Sequence, residues 1–196
     1  MTMTNIVRRQ DINRRTVVLV AALFMPMANA QAPAQNAAPK PPDSPSKVLL
    51  DSWNDVGRKL IAMAEDFPED KYDFKPNPSQ RSFAEQLLHA AGGNYFFIGP
   101  AKGMKPPTGD PKRADYATKA AVVAFVKKSF AEGADLIKSK GDGGMSDLYV
   151  DPFSNGQTRF SDGAWGFIEH GGEHYGQLVV YYRVAGLVPP ESRPKK

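Results

Sequence analysis

Three histidines, at 89, 170 and 174, are the only imidazoles in this 196-residue chain, and cysteine is absent. The second fact removes disulfides, thiolate metal ligands and a cysteine nucleophile together. The first limits any multi-histidine site to one membership. His170 and His174 are four residues apart, so on a helix they stack on one face. Histidine suits zinc, nickel or iron, and a third imidazole from His89 would leave an open position of the kind catalytic sites keep. The same spacing also fits three packing histidines, so the pattern alone leaves both readings open.

Neighbouring residues extend the pattern. Glu85 precedes His89 by four residues and could face the same site as an acid or base, or serve as the N3 residue of a capping box. Glu173 sits about 100° around the helix from His174, at the site's edge. Gln177 and Tyr181 continue the ligand face and could donate to a substrate or pack in the core; Trp53 and Trp165 read as packing. Gly92 and Gly93 follow His89, while Gly166, Gly171, Gly172 and Gly176 punctuate the segment around the histidine pair. An interior helix glycine costs about 1 kcal/mol relative to alanine, so the cluster suggests backbone kept clear for a ligand or for close helix approach. His170-Gly171-Gly172-Glu173-His174 also spells the inverted zinc-peptidase motif. That reading needs a downstream carboxylate ligand, and Glu191, beyond Pro189-Pro190, is the sole candidate.

These residues must be positioned by helices. Apolar residues from Val48 to Phe67 recur at three- and four-residue spacing, predicting a helix from Ser46 to the stop at Pro68. Ser82-Phe83-Ala84-Glu85 reads as a capping box opening a second helix that runs to about Ile98. After a basic Pro/Gly loop over 100–113, a third helix is expected over about 117–139. A last helix runs from Ser161/Asp162 to Val184-Ala185, closed by Gly186 and Pro189-Pro190. Four amphipathic segments without a convincing alternating strand predict an all-α, four-helix bundle over 46–190, with 191–196 as a tail. Residues 140–160 read as a long loop with a short extended piece at Leu148–Val150. Its Leu148, Tyr149 and Phe153 suggest a lid over the site.

Ahead of the bundle, residues 1–30 carry four arginines against Asp11, then an apolar run from Val17 to Met25, then Ala28-Asn29-Ala30. This is the order of a cleaved signal peptide, too short to span a membrane. Asn13-Arg14-Arg15-Thr16-Val17-Val18 further resembles a twin-arginine signal. Residues 31–45 are a Pro/Ala linker expected to be disordered. The net charge of +4 is mostly the leader's, so charge gives no case for nucleic acid or for an acidic membrane as partner. The expected location is periplasmic or secreted, with no membrane anchor after cleavage. A small-molecule substrate is the expected partner, and a homodimer is left open.

Three stretches resemble the DinB-like (DinB/YfiT) four-helix bundles. Pro68-Glu69-Asp70-Lys71-Tyr72-Asp73-Phe74-Lys75-Pro76 is similar to that family's connection between helices one and two. Arg81 to His89 looks like its Ser-x-x-Glu-x-x-x-His segment, and Glu169 to Pro190 resembles its last helix closely. The resemblance implies a divalent metal bound by His89, His170 and His174. For activity it implies a metal-dependent hydrolase or a thiol-dependent transferase or isomerase, the substrate unspecified. An export signal argues against cytosolic thiols, and a non-catalytic metal-binding or stress-associated envelope protein is the alternative.

The leader generates a direct test. Amino-terminal sequencing of the cellular protein should begin at Gln31, and Met1 intact on most molecules would overturn export. Lysines in place of Arg14 and Arg15 should block export if the route is the twin-arginine one.

Overall fold

The computed structural model describes residues 42–194. The expected signal peptide and most of the linker lie outside them. Four long helices dominate: α1 (Pro45–Asp66), α2 (Phe83–Phe97), α3 (Lys119–Lys140) and α4 (Phe160–Val184). Three of them start at a side-chain cap, whereas α4 begins after Arg159 without one. The Ser44 and Thr118 side chains accept from the backbone amides of Lys47 and Ala121, capping α1 and α3. At α2, Ser82 and Glu85 form a complete capping box. None of the described helices is long and apolar enough to cross a membrane.

Around the bundle, α1 packs on α3 and α4, and α2 packs on the same two. Successive helices α1 and α2 are therefore diagonal, as are α3 and α4. Short loops favour antiparallel neighbours, but the connections over 67–82, 98–118 and 141–159 are long enough to cross the bundle. The consequence that matters is that α2 and α4, the two histidine-bearing helices, lie side by side.

Trp53 of α1 anchors the core. It is fully buried, packs on Phe167 in a tilted arrangement with centroids 4.4 Å apart, and donates through Nε1 to the Phe130 carbonyl at 2.9 Å. At the other end, Phe67 stacks on Phe83 at 3.7 Å, while the Tyr182 hydroxyl donates to Met63 O at 3.0 Å. Ser129 Oγ donates to Ala91 O and Asn94 Nδ2 to Ser129 O, each at 2.6 Å, pinning α2 to α3. Trp165, read as packing, is instead 43% exposed.

Two expectations are revised. The stretch 140–160 is not one open loop, because β1 (Leu148–Val150) pairs antiparallel with β2 (Gln157–Arg159). The Tyr149 hydroxyl fastens this hairpin to the Phe97 carbonyl at 2.6 Å. The expected tail is in part docked: Glu191 pairs with Arg58 at 2.6 Å and Arg193 with Asp66 at 2.5 Å, both on α1.

Two helical glycines with opposite surroundings give a test of packing. A Cβ at Gly133 would fall 1.9 Å from Trp53 Cζ2, whereas one at Gly172 meets nothing within 4 Å. Gly133→Ala should lower stability by about 2 kcal/mol or more through overpacking. Gly172→Ala should raise it by about 0.5–1 kcal/mol through helix propensity. Chemical denaturation of the two variants checks both signs.

Candidate metal centre

His89 sits midway along α2, and His170 and His174 sit one turn apart on α4. Because α2 and α4 are neighbours, one ring nitrogen from each histidine comes within 4.8 Å of the other two. The ring centroids are 4.3–5.2 Å apart, with every pair edge to face. This close approach depends on Gly93. A Cβ there would lie 2.8 Å from His170 Nε2, so a side chain on α2 would expel the imidazole.

In two of the three histidines, Nδ1 is engaged by other groups. His89 Nδ1 lies 2.7 Å from Asp110 Oδ1, and the other oxygen of Asp110 accepts from Arg81 at 3.0 Å. His174 Nδ1 is bracketed by Gln177 Oε1 at 2.9 Å and Gln86 Nε2 at 2.6 Å, and the two glutamines bond to each other. With Nδ1–H donating to Asp110 and Gln177, His89 and His174 each retain a lone pair on Nε2. His170 Nε2 is buried without a hydrogen-bond partner among the described residues. A buried imidazole nitrogen is ordinarily satisfied, and a metal ion is one way to satisfy such a cluster.

The electrostatics favour neutral, ligand-competent rings. Burial pushes the His170 pKa down to about 4, and the charges of His174 and His89 add to the effect. Burial also lowers that of His174, against an opposing hydrogen bond from Gln177. For Asp110, burial alone would raise the carboxyl; the hydrogen bonds and charges of His89 and Arg81 outweigh it and keep it below the usual range. Protonated imidazole cannot ligate, so both histidine shifts act in a metal's favour. The donor set, the second partners and the orphaned nitrogen fit a divalent transition metal.

Of the other sequence candidates, Glu85 is occupied at the start of α2. Its carboxylate accepts from Ser82 N at 2.6 Å and faces Lys75 at 3.6 Å. Glu173 is exposed and near enough to His174 to favour its charged form. Tyr181 is buried and donates to the Arg81 carbonyl at 2.7 Å. Glu191, the carboxylate a peptidase reading needs, is engaged with Arg58. Gln86 and Asp110 were not among the candidates. Gln86 precedes His89 by three residues, a same-face spacing that could have exposed it. Asp110 belongs to an irregular loop and leaves no periodic signal.

A cleft of about 570 Å³ opens beside His89 and His170. Aromatic residues Phe96, Phe97 and Phe125 wall it, and the segment from Met104 to Pro111 roofs it. The hairpin contributes Phe153 to this lining, while Leu148 points to solvent and Tyr149 serves as the anchor. The loop over 100–113 therefore covers more of the site than the stretch read as a lid. The glycines are also reassigned. Gly93 makes room for His170, Gly166 for Phe97 and Gly171 for Val56, whereas Gly172 and Gly176 face open space.

Residues 53–178 match the family model described as the DinB superfamily. Among solved structures, a DinB-like protein from Bacillus cereus ATCC 10987 superposes with a TM-score of 0.61 at 17% identity, covering 74% of this chain and 95% of that one. YfiT from Bacillus subtilis, described as "a probable metal-dependent hydrolase with an unusual four-helix bundle topology", gives 0.60 at 13% identity, covering 77% and 94%. An uncharacterized Clostridium difficile 630 protein gives 0.57 at 13%, covering 70% and 95%. No curated protein matches the chain.

The depressed His170 pKa predicts a pH effect on the metal-free protein. Unfolded His170 takes a proton near its ordinary pKa of about 6.5, while the folded ring resists until about 4. Its contribution is thus complete above pH 6.5 and is lost as the pH falls toward 4. Melting temperature should drop over that window, and His170→Asn should flatten the drop.

Proposed function

The chain belongs to the DinB superfamily, and from that premise we propose an exported, metal-dependent enzyme of hydrolase or transferase type, acting on a small molecule. The observation that carries this is the convergence of all three histidines, two with their second nitrogen already held by Asp110 or by Gln177 Oε1. His89, His170 and His174 would hold zinc, nickel or iron. Such a metal supplies Lewis acidity toward a substrate oxygen or sulfur.

The chain's own groups have separable tasks. Asp110 fixes the His89 ring and tautomer, and Gln177 fixes His174, with Gln86 Nε2 donating to Gln177 Oε1 behind it. The aromatic cleft takes the substrate's body and excludes water around the reacting group. Asp110 is the carboxylate lining that cleft, and its oxygens are engaged by His89 and Arg81. Glu85 and Glu173, the acid–base candidates from sequence, both lie outside the lining. That placement favours the second reading, a non-catalytic metal-binding protein, to the extent that chemistry needs a free carboxylate.

Metal titration of the purified protein should give one divalent ion per chain. His170→Ala and His174→Ala should each abolish stoichiometric binding, and Asp110→Asn should weaken it by about 10- to 100-fold. Wild-type affinity in both histidine variants would overturn the site. Hydrolase and transferase substrates screened with and without chelator then separate the two readings: a chelator-sensitive turnover supports the enzyme, and none supports the metal binder.

A further inference from the structure

We propose that the cleft beside the histidines selects a small molecule with an aromatic or similarly broad apolar body that carries an anionic group. What happens to that molecule at the histidines rests on the metal-dependent reading; its capture in the cleft does not.

The first observation is the exposed apolar surface at the cleft's rim. Phe153 is 66% exposed and Met104 47% exposed, and both line the cleft from opposite connections of the bundle. Large side chains left in water at a concave site are a cost to the free protein that a bound apolar partner removes. Phe153 is held there by structure. It sits at the tip of the hairpin, where Asp151 accepts from the Phe153 amide at 3.0 Å and from Ser154 Oγ at 2.6 Å. Tyr149 then fixes the hairpin to Phe97 O, with Gly163 leaving room for its hydroxyl. The Phe153 ring thereby meets Phe96 at 5.0 Å and Phe97 at 5.1 Å, both edge to face. This gives three aromatic rings at one wall, with Phe125 in the lining as well. Offset and edge-to-face contacts of that kind favour a flat aromatic guest over an aliphatic one of equal charge.

The second observation is the charge balance. Asp110 is matched by Arg81 at 3.0 Å, and His89 Nδ1–H adds a hydrogen bond at 2.7 Å. The Tyr95 hydroxyl is engaged by Glu132 at 2.8 Å. Lys105 lines the cleft, is exposed, and has no ion pair among the described residues. The unmatched charge at the cleft is therefore positive, which favours an anionic guest and disfavours a cationic one. The volume of about 570 Å³ suits a molecule of one or two rings with a short polar arm.

The test uses the full chain, once with chelator and once with zinc, titrated with 2-naphthoate, 2-naphthylmethylammonium and hexanoate by calorimetry. In the chelated protein, 2-naphthoate should bind about 10-fold more tightly than either other probe. Phe153→Ser and Met104→Ser should each weaken it by about 3- to 10-fold, since each removes part of an apolar wall. Lys105→Glu should erase or reverse the preference over the ammonium probe. A cooperative melt above the assay temperature certifies the fold of each variant. Equal binding of the ammonium probe or of hexanoate by the wild type would overturn the proposal. So would unchanged naphthoate affinity in the Phe153→Ser, Met104→Ser double variant. Failure of the metal reading is read elsewhere: a chain that takes no zinc yet discriminates these probes keeps the cleft assignment and loses only the metal.

Discussion

The contact of His170 against Gly93 is the constraint on which the site depends. The His170 imidazole on α4 approaches α2 at a glycine, and a Cβ at Gly93 would crowd its Nε2 at 2.8 Å. The burial that results removes the ring from water, keeps it neutral and leaves its nitrogen without a partner. A site prepared to hold a metal and a site costly to leave empty are the same arrangement. The remainder of the bundle keeps the two helices at that separation, with Ser129 and Asn94 locking α2 to α3 and Trp53 packing on Phe167 of α4.

The histidines divide two unlike environments. On one side lies the aromatic cleft with Phe96, Phe97 and Phe153; on the other a polar groove lined by Arg81, Gln86, Gln177 and Tyr181. The polar side contacts the rings through His174 and the apolar side through His89 and His170. Asp110 joins the two, since one of its oxygens meets His89 and the other Arg81. The loop over 100–113 thus meets the histidine cluster through Asp110 while its Met104 and Lys105 line the cleft.

Much of the fold was legible because helix signals are local. The capping box at Ser82, the proline after Phe67, and apolar spacing along 46–67 act within a few residues of themselves. The hairpin was not legible beyond Leu148–Val150, because Gln157–Arg159 has no alternating apolar face and gains its strand only by pairing. Docking of 190–193 was hidden for a similar reason: Glu191 and Arg193 find Arg58 and Asp66, far away in sequence.

For the site, the sequence by itself determined which residues could be ligands. With three histidines and no cysteine, composition closed the set, and the four-residue spacing on one helix put two of them on one face. Only the tertiary structure decided that α2 is a neighbour of α4 and not of α1, which brings His89 to the pair. It also decided that Gly93 makes room for an imidazole, that Glu85 serves the cap, and that Asp110 and Gln177 hold the rings. The physical reason is one of range. Helix periodicity and capping are carried by neighbours along the chain, whereas an ion pair or a close helix approach joins residues whose separation in sequence carries no trace of their contact.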